Sequence, residues 1–391
     1  MATILFVTWD GGGNLPPALG IAGDLRKRGN AIRFLGHEQQ RAAIEGTGLA
    51  FEPYRHARPW SSAAQAGGLR GALTIFSMFT DRGPGADLLA SLRREPADLV
   101  VIDCLLLGAL DAADKAGLRR AVLVHTFYHF VAGPWSHGPI GIIGRAKGQH
   151  PARLWAAADA VLVATLAELD PVPPGRLPAN AHYTGPVLPA AGRLQAIDGG
   201  DAGTGPTAPA PATRSQQAAA PLVLVSLSTT DYPGQRTVLQ SILDALATLP
   251  IRAVVTTGPA VSPAQLRAPA NAELHRYLPH EAVMPAASLV ICHGGHATTM
   301  RALACGLPVL VIPVHPMLDQ RMIGTSVQGQ GAAIVLRKTA SPGQIREAAG
   351  RMLAGARYRA AARRLGARIR EHDAASAAAD RLTALLPAAA R

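Results

Sequence analysis

The residues whose chemistry is easiest to name are His293-Gly294-Gly295-His296-Ala297-Thr298-Thr299. They follow the apolar run 289–292 and lead into a helical pattern that ends at Gly306-Leu307-Pro308. A glycine pair lets the backbone turn tightly and come close to a ligand. The opening of a helix presents unpaired N–H groups and the positive end of its dipole. Thr298 and Thr299 add hydroxyl donors, and His293 an imidazole N–H. Together these form an anion site of the size of a diphosphate. The residues alone leave open a plain Gly-Gly turn capped by His296.

A second set lies near the N-terminus. Trp9-Asp10-Gly11-Gly12-Gly13-Asn14-Leu15-Pro16-Pro17 follows the run 4–8 and precedes a helical pattern that Pro17 suits. Asp103 closes the run 99–103, and His125 closes the run 121–125. The carboxyl ends of parallel strands face the ligand crevice, which makes His125, and Asp10 in the loop after the first run, candidates for a base. Asn14 holds no proton at neutral pH, and an aspartate needs desolvation to act as a base there. A loop carboxylate and a packed histidine are the competing readings of Asp103 and His125.

Aromatic residues make up only 4% of the chain, so their clustering carries information. Phe127, Tyr128, Phe130 and Trp135 follow His125, and Phe76 and Phe79 share another helical stretch. They suit an apolar cavity for a hydrophobic small molecule, or the core between helix and sheet. Residues 54–60 read as a mobile lid.

These groups need a scaffold. Near-continuous apolar runs at 4–8, 31–35, 99–103, 121–125 and 160–164, then 222–226, 253–257, 289–292, 309–312 and 333–336, alternate with helical patterns. Runs without polar alternation are parallel strands covered on both faces. The expected fold is α/β: two Rossmann-like, doubly wound domains facing across a cleft. Residues 1–190 form the first domain, 191–220 a Pro/Ala/Gly-rich linker, and 221–375 the second domain. Residues 376–391 form a final helix and tail able to return to the first domain.

Bulk composition narrows the class. The 391 residues are 48% hydrophobic, so the chain folds. The net charge of +12 rests on arginines scattered along helical stretches, without a nucleic-acid-binding module. Cys104, Cys292 and Cys305 fit neither a zinc site nor a disulfide framework. The start of the chain runs straight into an apparent strand, and the apolar stretch 99–110 is too short to span a bilayer. A cytoplasmic protein, monomer or homodimer, is expected, without an integral membrane segment or an acidic cluster to hold a metal.

The block 293–320, with Pro308, Pro313, His315, Pro316, Asp319 and Gln320, resembles the nucleotide-sugar signature of GT-B glycosyltransferases of family 1. Residues 221–230, Pro233-Gly234, Pro279-His280 and the N-terminal glycine loop extend the likeness over nearly the whole chain. It is nearest to the bacterial branch that tailors macrolides and aromatic polyketides. The resemblance implies inverting transfer of a sugar from a dTDP- or UDP-sugar to a hydrophobic small molecule in natural-product biosynthesis. The nucleotide sugar serves as co-substrate, with no further cofactor. The resemblance makes 1–190 the acceptor-binding domain and 221–375 the nucleotide-sugar-binding domain, and roles carry over residue by residue. His293 contacts the donor phosphate, and Gly295, His296, Ala297 and Thr298 cradle the diphosphate. Asp319 and Gln320 hold sugar hydroxyls, Ser228 and Thr229 line the diphosphate, and Tyr277 and His280 lie by the base. For Asp319 a helix N-cap is the alternative.

Two positions depart from the pattern. Asn14 stands where relatives place the catalytic histidine, which they pair with an aspartate matched here by Asp103. Arg301 stands where many relatives carry a ribose-binding glutamate. Arginine accepts no hydrogen bond, which favours a deoxyribose donor. The missing histidine leaves three explanations: another base, an acceptor that needs little help, or a non-catalytic protein that binds the donor. A sugar-nucleotide epimerase or hydrolase on the same scaffold is the remaining alternative.

Overall fold

The computed structural model describes residues 1–62, 74, 76–188, 220–228, 230, 232–371 and 373–387. The linker expected at 191–220 falls almost wholly outside them.

Thirteen strands among the described residues form two sheets. The first contains β1 (Thr3–Val7), β2 (Ala31–Gly36), β3 (Ala50–Pro53), β4 (Leu99–Asp103), β5 (Arg120–Val124), β6 (Ala160–Val163) and β7 (Ala181–Tyr183), in the order β3-β2-β1-β4-β5-β6-β7. The second contains β8 (Leu222–Ser226), β9 (Arg252–Thr256), β10 (Ala272–His275), β11 (Ala287–Cys292), β12 (Val309–Val311) and β13 (Ala333–Val335), in the order β10-β9-β8-β11-β12-β13. Every pairing is parallel. The longer helices are α1 (Leu15–Lys27), α2 (Gly83–Arg94), α3 (Leu107–Lys115), α4 (Pro139–Ala146), α5 (Gln235–Leu246), α6 (His296–Ala304), α7 (Gln320–Gly329), α8 (Pro342–Ala354), α9 (Ala356–Glu371) and α10 (Ala374–Ala384).

Alternate residues of each central strand enter opposite cores, which explains the unbroken apolar runs. Ile4, Phe6, Leu99, Val101, Ala121 and Leu123 join α1 and α10 on one face of the first sheet. Leu5, Val7, Val100, Ile102, Val122 and Val124 join α3 on the other. Each fully buried Leu, Ile or Phe contributes roughly 1.5–3 kcal/mol. A charge at Val101 would therefore have no solvated face to turn to. The register pairs Val7 with Ile102 and Asp103 with Leu123. Thr8, Asp103 and His125 consequently emerge near one another at the carboxyl ends of the three central strands.

Two sets of contacts tie the sheets together. Helix α10 lies on α1, where Arg28 pairs with Asp380 at 2.5 Å and donates to Ser376 Oγ at 2.8 Å. Beside the cleft, Ser326 donates to the Leu169 carbonyl, and Arg368 lies 3.6 Å from Glu168. Among the described residues no helix is long and apolar enough to cross a membrane.

Candidate active site

The turn after β11 has the shape that its glycines require. Gly294 sits at φ +89°, and a Cβ there would lie 2.4 Å from the Gln320 carbonyl oxygen. A Cβ on Gly295 would lie 2.5 Å from His293 Nε2. Only glycines let the 320 backbone and the His293 ring close over the turn. Gly295 then caps α6, whose first amides, on His296, Ala297 and Thr298, have no intrahelical acceptor. Burial presses His293 down to about 4, so its phosphate contact would come from a neutral imidazole. His296 does not cap the helix. Its Nε2 is buried without a partner, and burial, then the charge of His125, presses it to about 3. Thr299 is fully buried with its hydroxyl 3.9 Å from Cys292 Sγ, so it is not among the hydroxyls at the anion site.

Asp319 begins α7 without capping it. Its carboxylate instead accepts from Thr126 Oγ1 of the first domain at 2.5 Å. Burial raises its pKa, against the pull of Thr126 and His125. Gln320 spends its side-chain oxygen on the N–H groups of Val314 (2.8 Å) and His315 (3.0 Å), leaving its NH2 to donate to a ligand. Ser228 Oγ accepts from the Thr230 amide at 3.0 Å, which shapes the loop after β8. Thr229 lies outside the described residues. Tyr232 of this loop meets the His315 ring at 5.3 Å.

On the first-domain side Asn14 is 2% exposed. Its amide nitrogen lies within bonding distance of Thr8 Oγ1 (3.2 Å), the Trp9 carbonyl (3.0 Å) and Asp103 Oδ2 (3.2 Å). Asp103 Oδ1 accepts from the Leu105 amide. His125 Nδ1 stands 3.1 Å from Asp103 Oδ2, though not at hydrogen-bond angles. Burial alone would lower the His125 pKa. The carboxylates of Asp103 and, further off, Asp319 outweigh it and raise the value. Asp103 is therefore already paired with a histidine, one supplied by the strand β5 and not by the loop after β1. Asp103, Cys104 and His125 also place potential metal ligands within 4.8 Å of one another. Burial holds the Cys104 thiol far above its ordinary pKa, and Asp103 is engaged by two N–H groups, so hydrogen bonding describes this cluster better.

Asp10 stands apart from this set. Its Oδ2 accepts from the Ser62 amide at 2.8 Å, and its carbonyl accepts from the Trp60 indole at 2.7 Å. It works as a clip for that loop. Residues 54–60 are likewise tied down. Tyr54 donates to the Thr8 carbonyl, and the amides of Arg55, His56 and Ala57 converge on Asp87. The expectation of a free lid is corrected accordingly.

The aromatic residues form a wall. Trp9, Phe79, Trp135 and Trp155 contact in succession, ring to ring, and Tyr128 meets Trp155. Phe79, Phe127, Tyr128, Phe130 and Trp135 are buried, and Phe76 is half-buried against them. Phe79, Tyr128 and Trp135 spend their rings on these contacts, while Phe127 lies edge-on to His296 across the cleft at 6.0 Å. Asp170 fixes the segment by accepting from the Tyr128 and His129 amides.

Beyond the turn after β11, Tyr277 is 42% exposed and His280 bonds Ser226 Oγ at 3.0 Å. Burial, with the Arg301 charge, presses His280 to about 4. Arg301 Nε lies 3.3 Å from Glu281 Oε1. The arginine that replaces an expected glutamate thus has a carboxylate from another element at its side.

Thr126, Tyr232 and Glu281 were not singled out by the sequence reading. Thr126 directly follows His125 at a strand's carboxyl end, so the same topological rule reaches it. Nothing local marks Tyr232 or Glu281, whose neighbours come from distant segments.

Two parallel doubly wound domains meeting over such a cleft define a GT-B protein. A solved structure, the glycotransferase of kitacinnamycin, superposes with a TM-score of 0.76 at 23% identity, covering 99% of both chains. Residues 240–385 match the family described as erythromycin biosynthesis protein CIII-like, C-terminal domain. The chain is similar to 4'-demethylrebeccamycin synthase of Lentzea aerocolonigenes, 25% identical over 439 residues, 98% of this chain and 100% of that protein. It is also similar to a PGL/p-HBAD biosynthesis glycosyltransferase of Mycobacterium tuberculosis, 33% identical over 215 residues, 54% of this chain and 45% of that protein. The match thus spans less than half of the mycobacterial relative. In fold and in sequence the chain is thus similar to GT-B natural-product glycosyltransferases.

Proposed function

We propose that the protein transfers a sugar, with inversion, from a dTDP- or UDP-sugar to a hydrophobic small-molecule acceptor of natural-product biosynthesis. One observation carries this reading. The segment that holds the paired histidine of the first domain, His125-Thr126-Phe127, touches Asp319 and His296 of the donor domain. A proton acceptor and an anion site therefore face each other across one cleft.

The diphosphate rests on the amides opening α6, beside Thr298 and the His293 N–H. Asp319 accepts from a sugar hydroxyl, and the Gln320 NH2 donates to another. His125, oriented by Asp103, takes the acceptor's proton as its oxygen attacks the anomeric carbon. The bond to the diphosphate breaks on the opposite face, and the helix end stabilises the charge that leaves. The aromatic wall supports the acceptor side. Arg301 alone favours deoxyribose, while Glu281 returns an acceptor for a ribose hydroxyl to the same neighbourhood.

Incubation with dTDP- and UDP-sugars and polyketide or indole-type acceptors, read by mass spectrometry, tests the proposal. A glycosylated acceptor formed by the wild type and lost in His125→Ala is expected. Donor binding without any turnover would mean a non-catalytic protein, and free sugar or an epimer a different reaction.

A further inference from the structure

Lys338 follows β13 and reaches back over the second sheet. Its Nζ donates to the Val314 carbonyl at 2.9 Å and to the Pro233 carbonyl. Pro233 belongs to the loop after β8, and Val314 to the loop after β12. In the sheet these strands flank β11, whose end carries the His293 turn. One ammonium therefore joins the two loops on either side of the anion site.

Three further features converge on this brace. Gly234 lies beneath the lysine at φ +80°, where a Cβ would come 3.3 Å from Lys338 Cε. The rings of Tyr232 and His315 make a second contact between the same loops. Val314 is held from both sides, since its N–H donates to Gln320 and its carbonyl accepts from Lys338. The peptide that leads to Asp319 and Gln320 is thus fixed by one donor and one acceptor. Burial, and then the Lys338 charge, lowers the pKa of His315, which keeps that ring neutral beside Tyr232.

We propose that Lys338 is a positioning residue for the donor: by bracing the loops after β8 and β12 it sets the gap in which a sugar diphosphate lies. This rests on the donor-site reading above. The bonds are charge-assisted, and a misplacement of about 1 Å at such a site can cost on the order of 100-fold in rate.

The test compares Lys338→Met, Lys338→Arg and the wild type. Lys338→Met is expected to lower kcat/KM for the sugar nucleotide roughly 10–100-fold with the acceptor KM unchanged. Lys338→Arg, which keeps the charge and the donors, is expected to recover most of that loss. Amide hydrogen exchange should rise at residues 232–235 and 313–320 in Lys338→Met alone. An unchanged donor KM with unchanged exchange would overturn the proposal. So would equal losses for donor and acceptor in both variants, since that pattern means general destabilisation. If the wild type binds no sugar nucleotide, the donor reading fails, and the exchange measurement still decides whether the brace exists.

Discussion

Thr126 Oγ1 of the first domain donates to Asp319 Oδ2 of the second, closing the cleft with a hydroxyl where a sugar hydroxyl is proposed to bind. The donor sugar must therefore exchange with Thr126. Thr126→Val removes that competitor and leaves a buried carboxylate with one partner fewer, at a cost of about 1–3 kcal/mol. We expect the donor-free protein to melt earlier and to bind sugar nucleotide several-fold more tightly. Calorimetric melting and donor titration read both effects, and weaker donor binding would show instead that Thr126 itself contacts the sugar.

His125 supplies a pH dependence with a definite sign. Its pKa is raised above the ordinary 6.5 because Asp103 and Asp319 outweigh burial. As a base it must be neutral, so kcat should climb as pH rises through that raised value. A raised pKa also means that protonated His125 stabilises the fold below about pH 6.5, and that this contribution fades as pH rises through the folded-state value. Asp103→Asn removes the nearer carboxylate, so the acid limb of the rate profile should move to lower pH while the maximal rate falls. An acid limb that stays in place would assign the base to another group. His296, held near 3, stays neutral throughout and contributes no limb.

Position explains most of which strands are legible in the sequence, although the edge strand β13 is legible too. The central strands, buried on both faces, are unbroken apolar runs and were legible. Ala50–Pro53, Ala181–Tyr183 and Ala272–His275 were missed, and all three lie at sheet edges. Their half-buried faces admit Glu52, His182 and Glu273, which break the apolar pattern. At the site, the turn at Gly294-Gly295 was legible because its chemistry is local. The aromatic residues cluster visibly in the sequence, but only packing shows that Phe79, Tyr128 and Trp135 spend their rings on other aromatic rings. The pairing of Asp103 with His125 joins two strands, so it needed the register of β4 on β5.

The same pairing governs Asn14. Restoring a histidine with Asn14→His would not rebuild a base there. Asp103 already has His125 at 3.1 Å, and the cavity beside Asn14, lined by Thr8, Asp103 and Leu123, holds only about 10 Å³. An imidazole would crowd that space and release at least one of the three acceptors around the amide. We expect a loss of about 1–3 kcal/mol in stability and no gain on simple alcohols. Denaturant unfolding and turnover with small alcohols measure both, and a tenfold or larger gain (roughly 1.4 kcal/mol of barrier) would return the base to position 14.

Glu281 gives the donor preference a residue to test. Its carboxylate lies beside Arg301, on the segment that begins with His280, whose ring bonds Ser226 Oγ at the end of β8. A carboxylate there can accept from a ribose 2′-hydroxyl, which a deoxyribose donor lacks. Glu281→Gln keeps the shape, removes the charge, and weakens a group able to make that distinction. A hydrogen bond to a charged group contributes about 1.5–3 kcal/mol, or on the order of tenfold or more in affinity. We therefore expect Glu281→Gln to weaken UDP-sugar binding by about that factor and to leave dTDP-sugar binding within a few-fold of the wild type. Titration with matched UDP and dTDP donors of one sugar decides it. Equal losses for both would mean that Glu281 merely holds Arg301, and the preference for deoxyribose implied by Arg301 would then stand.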